Sequence, residues 1–368
     1  MYGDSTRSIH AGRPRPEPGQ PFLPGPVLAS TFPLDPATGP VTGVDSYGRP
    51  HSSTRRLLES AIGELEGGDC LTFATGMAAV SAALLALVGP GDEIVLPSDG
   101  YFLTRAWASR NLTTRGVSVT LVPTAGPYPD FTGVRLVLLE TPANPGLDVC
   151  DIAGIAATAH AAGALVAVDN TTATPLGQTP LELAADLVVA SATKALTGHS
   201  DMLLGYVASR DAGLMSTLTS WRDSTGAIPG NFDAWLAHRS LATLDLRLTR
   251  QTTNAAAISA ALADHPAVRG LRWPGRESDP SFAMAAKQMR RIPGVVTFEL
   301  PSADAVLRFL TESQLIVAAT SFGGLHTTAD RRAQWGDDAP EGLVRLSCGI
   351  EDTDDLVADV LSALDAIG

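Results

Sequence analysis

ALVAVDNTTATPLGQTPLELAADLVVASATKALTGHSD, residues 164–201, decides the reading of this chain. Two apolar runs of strand length, ALVAV and DLVVA, are rich in β-branched residues and lack polar alternation. That pattern marks strands buried on both faces of a parallel sheet. Each run ends on residues able to do chemistry. Asp169-Asn170 follows the first, and Ser191-Ala192-Thr193-Lys194 follows the second.

Outward from this stretch the same rhythm repeats. CLTFA, EIVLP and RLVLLE read as strands, and TGMAAVSAALLALV and DIAGIAATAHAAG as helices. RRLLESAIGELEGG is amphipathic and closes on Gly67-Gly68, a helix C-cap signal. Strand–helix alternation over some 150 residues predicts a mostly parallel, doubly wound α/β sheet across residues 55–240. After residue 240 the texture changes. A long helical stretch from Ser240, strand-like GVVTFEL and LIVAAT, and helical SADAVLRFLTES and DTDDLVADVLSALDAI predict a smaller α+β domain over 241–368. Residues 1–54 open with a Pro/Gly-rich region that reads as an extended arm.

Composition excludes several classes. The chain has 368 residues, is 45% hydrophobic and carries a net charge of −13. That is ordinary for a globular protein, and too acidic for a phosphate-backbone binder or a partner of anionic membranes. No apolar run reaches the ~20 residues that span a bilayer. The start shows no basic-then-apolar signal pattern. Three cysteines form no CxxC or zinc-like spacing and argue for a reducing compartment, so the expected location is the cytoplasm. GxGxxG after a strand, GxxxxGK[ST], HExxH and GxSxG are all missing. No metal site is expected.

In α/β sheets ligands gather at the carboxyl ends of strands. There the sequence places Thr75-Gly76-Met77 at a helix start, Tyr101, Asn144, Asp169, and Ser191 to Lys194. Helix-start amides favour a phosphate. Of 26 basic residues only Lys194 and Lys287 are lysines, so an amine nucleophile has two candidates. Taken singly, each feature is a cap, a turn or a packing residue. Together they meet the needs of pyridoxal 5'-phosphate, which requires a lysine, an acid for its ring nitrogen and a phosphate cup.

At these residues the chain resembles the Cys/Met-metabolism family of pyridoxal-phosphate enzymes: cystathionine γ-lyases, cystathionine γ-synthases and methionine γ-lyases. TRSIHAG, Tyr47-Gly48-Arg49, LEGGDCLTFATGMAAV, ETPANPGLDVCDI, the VDNT…SATK…GHSD block and VRLSCGIEDTDDLV carry the resemblance in order along nearly the whole chain. It implies the type I, aspartate-aminotransferase-like fold of PLP-dependent transferases. It implies that Lys194 is the Schiff-base lysine and acid/base at Cα, and that Asp169 pairs with the pyridine nitrogen. Tyr101 would stack on the ring and shuttle a proton to the leaving group. Gly76, Met77, Ser191 and Thr193 would hold the phosphate, with Tyr47 and Arg49 reaching the phosphate of a neighbouring subunit. Asn144 would sit near the phenolic oxygen, and Arg345, with Ser321 and Asn144, would hold the substrate α-carboxylate. The implied partners are an amino-acid substrate and three further copies of the chain, a homotetramer of two catalytic dimers.

The implied reaction is γ-elimination from a γ-substituted L-amino acid, cystathionine γ-lyase chemistry being the nearest match. γ-Replacement on a homoserine ester and a specialised γ-lyase or γ-synthase are the alternatives. Two departures stand out. The family pattern Tyr-x-Arg-x-x-Asn-Pro-Thr here ends His51-Ser52-Ser53-Thr54. Ser-Leu-Gly-Gly-x-Glu-Ser-Leu here reads Ser321-Phe322-Gly323-Gly324-Leu325-His326-Thr327-Thr328. His326 thus takes a Glu position that the family uses near the distal end of the substrate.

Overall fold

The computed structural model describes residues 2–41, 43–335 and 338–367. In chain order its first elements are α1 (Asp4–His10), α2 (Ser53–Glu66), β1 (Asp69–Phe73), α3 (Gly76–Leu87), β2 (Glu93–Pro97), α4 (Phe102–Asn111), β3 (Ser118–Val122), β4 (Val134–Glu140), α5 (Ile152–Ala161), β5 (Leu165–Asp169), α6 (Thr174–Gly177), β6 (Leu187–Ser191), β7 (Gly205–Ser209), α7 (Ala212–Thr225) and α8 (Asn231–Leu241). Then follow α9 (Leu244–Leu262), β8 (Arg269–Arg272), α10 (Phe282–Gln288), β9 (Val295–Glu299), α11 (Ala303–Glu312), β10 (Val317–Ala318), β11 (Thr328–Arg331), β12 (Leu343–Ser347) and α12 (Thr353–Asp365).

β1 to β7 form one sheet in the order β1-β7-β6-β5-β4-β2-β3. β2 to β6 run parallel, and β7 is antiparallel to both β6 and β1. Two antiparallel steps in succession return β1 to the direction of β4, β5 and β6. The carboxyl ends of β1, β2, β4, β5 and β6 therefore share one edge. Helices cover both faces of this sheet and bury separate apolar clusters, one around Leu58, Ile62 and Leu244, another around Phe73, Leu84 and Leu218. The second sheet runs β10-β11-β12-β9-β8 and packs on α9, α11 and α12 around Phe298, Phe309 and Leu356.

Local chemistry explains the element ends. Ser52 Oγ accepts from the Arg55 amide and caps α2, and Gly67 takes the left-handed conformation at φ 80° that ends it. Ser52 also donates to Asn231 Oδ1 at 2.8 Å, so one of the two departures in the first loop is absorbed by capping and packing.

Three expectations change. β3, β7, β8, β11 and β12 are strands that the sequence reading passed over; β7, GYVAS, is a run of five residues that opens on a glycine. The helix expected to run on unbroken from Ser240 is interrupted between Leu241 and Leu244. Buried Arg247 there donates to Ser240 O (3.1 Å), Ala195 O (2.7 Å) and Leu196 O (3.0 Å), satisfying a carbonyl freed at the break. The arm, expected to be extended, begins with α1, whose Arg7 donates to Leu65 O at 3.1 Å and anchors the start of the chain to α2. Cys70, Cys150 and Cys348 are buried and unpaired. No helix among the described residues is long and apolar enough to cross a membrane.

Candidate active site

The shared strand edge opens into a cavity of about 420 Å³. Its walls bring together Gly76, Met77, Tyr101, Asn144, Asp169 and Lys194, with Ser191, Thr193, Ser321 and Arg345 completing the set expected there.

One wall is a phosphate-sized cradle. Thr75 caps α3 by accepting from the Ala78 amide at 3.0 Å. Gly76 and Met77 occupy the first two helical positions, where N–H groups have no i−4 carbonyl. A Cβ on Gly76 would lie 2.6 Å from Ser191 Cβ and 2.8 Å from Ser191 Oγ, so only glycine lets α3 approach β6 this closely. Ser191 N donates to Thr171 Oγ1 at 2.8 Å, and Thr193 Oγ1 pairs with the Leu204 backbone, which aligns both residues at the end of β6.

The floor is acidic. Asp169 and Glu140 are register partners on β5 and β4. Asp169 accepts from the Thr171 amide at 3.0 Å. Desolvation raises its carboxyl above the ordinary range, opposed by the hydrogen bonds from Thr171 and by the charge of Lys194. Burial first, and then the neighbouring Asp169, push Glu140 up to about 8. A partly buried carboxylate at a strand end, facing a single amine, is short of positive charge. The protonated ring nitrogen of pyridoxal phosphate supplies it, so the donor set fits that cofactor.

Glu140 also holds the site together. Its Oε2 accepts from Tyr101 N at 2.7 Å and its Oε1 from Asn144 N at 2.8 Å. The aromatic after β2 and the amide after β4 are therefore set by one carboxylate. Sequence reading gave Glu140 no role, although an acid ending a buried strand is the available signal.

The third wall comes from the second sheet. Lys194 Nζ donates to Ser321 Oγ at 2.8 Å. Burial, and then the charges of Arg345 and Arg332, lower its pKa to about 8. Arg345 is 3% exposed and donates to Asn144 Oδ1 (2.6 Å) and Ser321 O (2.9 Å). The Phe322 ring centroid lies 5.3 Å from Lys194 Nζ and 5.2 Å from Arg345 Cζ, so one aromatic ring is within cation–π reach of both cations. Phe322, Arg332 and Trp335 line the cavity and were absent from the expected set. Phe322 could have been noticed as a departure from the family's leucine.

Three expected residues lie elsewhere. Tyr47 and Arg49 sit on the arm, exposed and outside the cavity of their own chain. Arg55 donates to Gly48 O (3.0 Å) and Arg49 O (2.7 Å), holding that loop in shape, and Arg49 stacks 5.7 Å from the Tyr47 ring. His326, expected beside the substrate, is exposed and does not line the cavity. Its neighbour Thr327 is turned inward instead, donating to both carboxylate oxygens of Glu351 at 2.6 and 2.8 Å. Lys287 is a surface residue paired with Asp151, 63% exposed, which leaves Lys194 as the lysine of the site. Among the described residues no cluster of His, Cys, Asp and Glu is placed to hold a metal.

Comparison with known proteins agrees with this geometry. Residues 5–365 match the family described as Cys/Met metabolism PLP-dependent enzyme. A Streptomyces coelicolor protein named "Putative cystathionine gamma-lyase" is 53% identical, the alignment covering 99% of this chain and 94% of that one. The cystathionine gamma-synthase of Mycobacterium tuberculosis is 37% identical over 99% of this chain and 97% of its own. Among solved structures, metB from Corynebacterium glutamicum superposes with a TM-score of 0.95 at 34% identity, covering 100% of this chain and 99% of that one. The fold is the type I fold of PLP-dependent transferases. The chain belongs to the Cys/Met-metabolism family of pyridoxal-phosphate-dependent enzymes.

Proposed function

We propose that the protein is a carbon–sulfur lyase that converts L-cystathionine to L-cysteine, 2-oxobutanoate and ammonia by γ-elimination. The observation that carries this reading is the 53% identity over 99% of the chain to the Streptomyces protein of that name, joined to a cavity holding Lys194, Tyr101 and Arg345 together. The 37% identity to a γ-synthase favours γ-replacement as the second reading.

Pyridoxal phosphate, when bound, supplies the electron sink that stabilises negative charge at the substrate Cα. The remaining roles belong to the chain. The amides of Gly76 and Met77 and the hydroxyls of Ser191 and Thr193 take the phosphate. Asp169 would keep the ring nitrogen protonated, and Tyr101 would lie beside the ring. Arg345 binds the α-carboxylate, for which its fork geometry is suited, and Asn144 and Ser321 fix its direction. Lys194, with a pKa near 8, takes the Cα proton as a neutral amine and is held for that transfer by Ser321. Lys194, once it has passed on that proton, also takes the one that leaves Cβ. Tyr101 protonates the sulfur that departs from Cγ, protons from these two groups then return to Cβ and Cγ, and hydrolysis by water releases the keto acid and ammonia.

The assembly is a homotetramer of two catalytic dimers, in which Tyr47 and Arg49 of the arm reach the phosphate of the neighbouring subunit. Exposed apolar side chains along the arm, Phe22 at 81% and Leu28 at 75%, support a covered surface there. The arm over 1–54, the cofactor domain over 55–240 and the C-terminal domain over 241–368 are the functional units. Three unpaired buried cysteines support a cytoplasmic location.

Incubation of the holoenzyme with L-cystathionine alone tests the reaction. Cysteine and 2-oxobutanoate are expected. Homocysteine with pyruvate would place cleavage at the β-carbon and overturn the reading. Turnover of a homoserine ester that depends on added thiol would replace it with the γ-synthase reading.

A further inference from the structure

Behind the α-carboxylate wall lies a buried charge cluster that the reaction scheme does not use. Asp330 on β11 stands opposite Arg345 on β12 in antiparallel register. Directly opposed residues share one face of the sheet about 5 Å apart. Asp330 Oδ2 accepts from Arg345 Nη2 at 3.4 Å and from Arg332 Nη1 at 3.0 Å. All three side chains are 3% exposed. The two arginines line the cavity, whereas Asp330 does not. Asp330 Oδ1 is buried without a hydrogen-bond partner, so Oδ2 carries both contacts.

A buried ion pair is poor value as a stabiliser, since apolar packing does as well. What this one provides is direction. Arg345 is anchored by Asn144 from the loop after β4, by the Ser321 carbonyl before β11, and by Asp330 across the strands. Of these three anchors Asp330 is the charged one. Without its charge between them the adjacent guanidiniums of Arg332 and Arg345 would repel each other more strongly, and Arg345 would be held in the carboxylate position less firmly.

We propose that Asp330 is a positioning residue: bridged to Arg332, it sets the guanidinium of Arg345 and thereby the affinity of the site for the α-carboxylate of its amino-acid substrate. The inference rests on the reading that Arg345 holds that carboxylate, and not on the identity of the γ-substituent.

The test titrates the holoenzyme with L-alanine and with L-alaninamide, following the visible absorbance of the bound cofactor. The two ligands differ in the α-carboxylate and neither carries a γ-substituent. In Asp330→Asn, affinity for L-alanine is expected to fall about tenfold, the weight of one charge-assisted contact, while L-alaninamide stays within about twofold of wild type. Asp330→Glu should recover part of the loss, and Arg332→Gln should show a smaller loss in the same direction. An Asp330→Asn protein that binds L-alanine as wild type does, or that loses both ligands equally, overturns the proposal. Should Asp330→Asn fail to fold, an unchanged alanine-to-alaninamide ratio in both Asp330→Glu and Arg332→Gln overturns it as well. A wild type inert towards L-cystathionine would defeat the γ-lyase reading, yet a selective loss of L-alanine in the variants would still uphold Asp330.

Discussion

Lys194 Nζ and Ser321 Oγ, 127 residues apart, meet at 2.8 Å and join the two sheets across the cavity. Ser321 sits at φ 79°, a left-handed conformation that costs a non-glycine residue energy and persists where the surroundings impose it. Its carbonyl holds Arg345 while its hydroxyl holds Lys194.

Ser321→Ala separates these duties. The carbonyl contact to Arg345 survives, so KM should move little. Loss of one hydrogen bond to a charged amine is expected to lower kcat about tenfold. Steady-state kinetics would show the split; an equal fall in kcat/KM carried entirely by KM would contradict it.

The amine of Lys194 is itself a prediction. Burial and the two nearby guanidiniums hold its pKa near 8, below the ordinary 10.5. Only the neutral amine attacks an aldehyde, so the rate of pyridoxal-phosphate uptake by the apoenzyme should climb with pH up to about 8 and level off above it. Rapid-mixing absorbance would record this. Arg345→Met removes a cation and should move the midpoint upward. Lys194→Ala should lose the yellow colour and at least ~10³-fold of activity, while Lys287→Ala keeps both.

Phe322 replaces a family leucine and places one ring beside Lys194 and Arg345. Phe322→Leu should weaken both cation–π contacts at a cost of roughly 1 kcal/mol, which is about fivefold in kcat/KM. Little change in thermal stability is expected. Kinetics identical to wild type would show that the ring only fills space.

Glu66 lies fully buried under the sheet, bonded to the Tyr206 hydroxyl at 2.5 Å. Desolvation raises its pKa to about 7, against the hydrogen bonds from Tyr206 and Asn170. A carboxyl held protonated in the folded chain costs stability as pH rises. The loss starts near the ordinary value of 4.5, grows to about pH 7 and is constant above. It amounts to something on the order of 3 kcal/mol. Glu66→Gln should flatten this decline in urea-unfolding curves recorded across that range and leave kcat unchanged. A variant with the same pH slope would acquit Glu66.

Much of this protein was legible from residues alone. Buried parallel strands must be continuously apolar, so β4, β5 and β6 announced themselves, and with them the edge where Asp169, Ser191 and Lys194 stand. Thr75 and Gly67 marked helix ends because capping is local chemistry, whereas the cap at Ser52 showed only in the structure. β7 escaped because a five-residue strand that opens on a glycine is too short to show a period of its own. The break before α9 escaped because it is satisfied by Arg247, whose carbonyl partners lie as far back as Ala195.

The division follows the range of the forces. Periodicity, capping and the scarcity of lysine act within a few residues, and by themselves they determined the α/β architecture and singled out Lys194 and Asp169 as the candidates at its strand ends. Glu140 bridging Tyr101 to Asn144, Ser321 reaching Lys194, Phe322 gathering two cations and Asp330 setting Arg345 join residues from different elements. Neighbouring positions such as His326 and Thr327 could be told apart only when the packing turned one outward and the other towards Glu351. Those contacts exist only once two sheets close on each other, because only packing removes the water that would otherwise compete for every one of them.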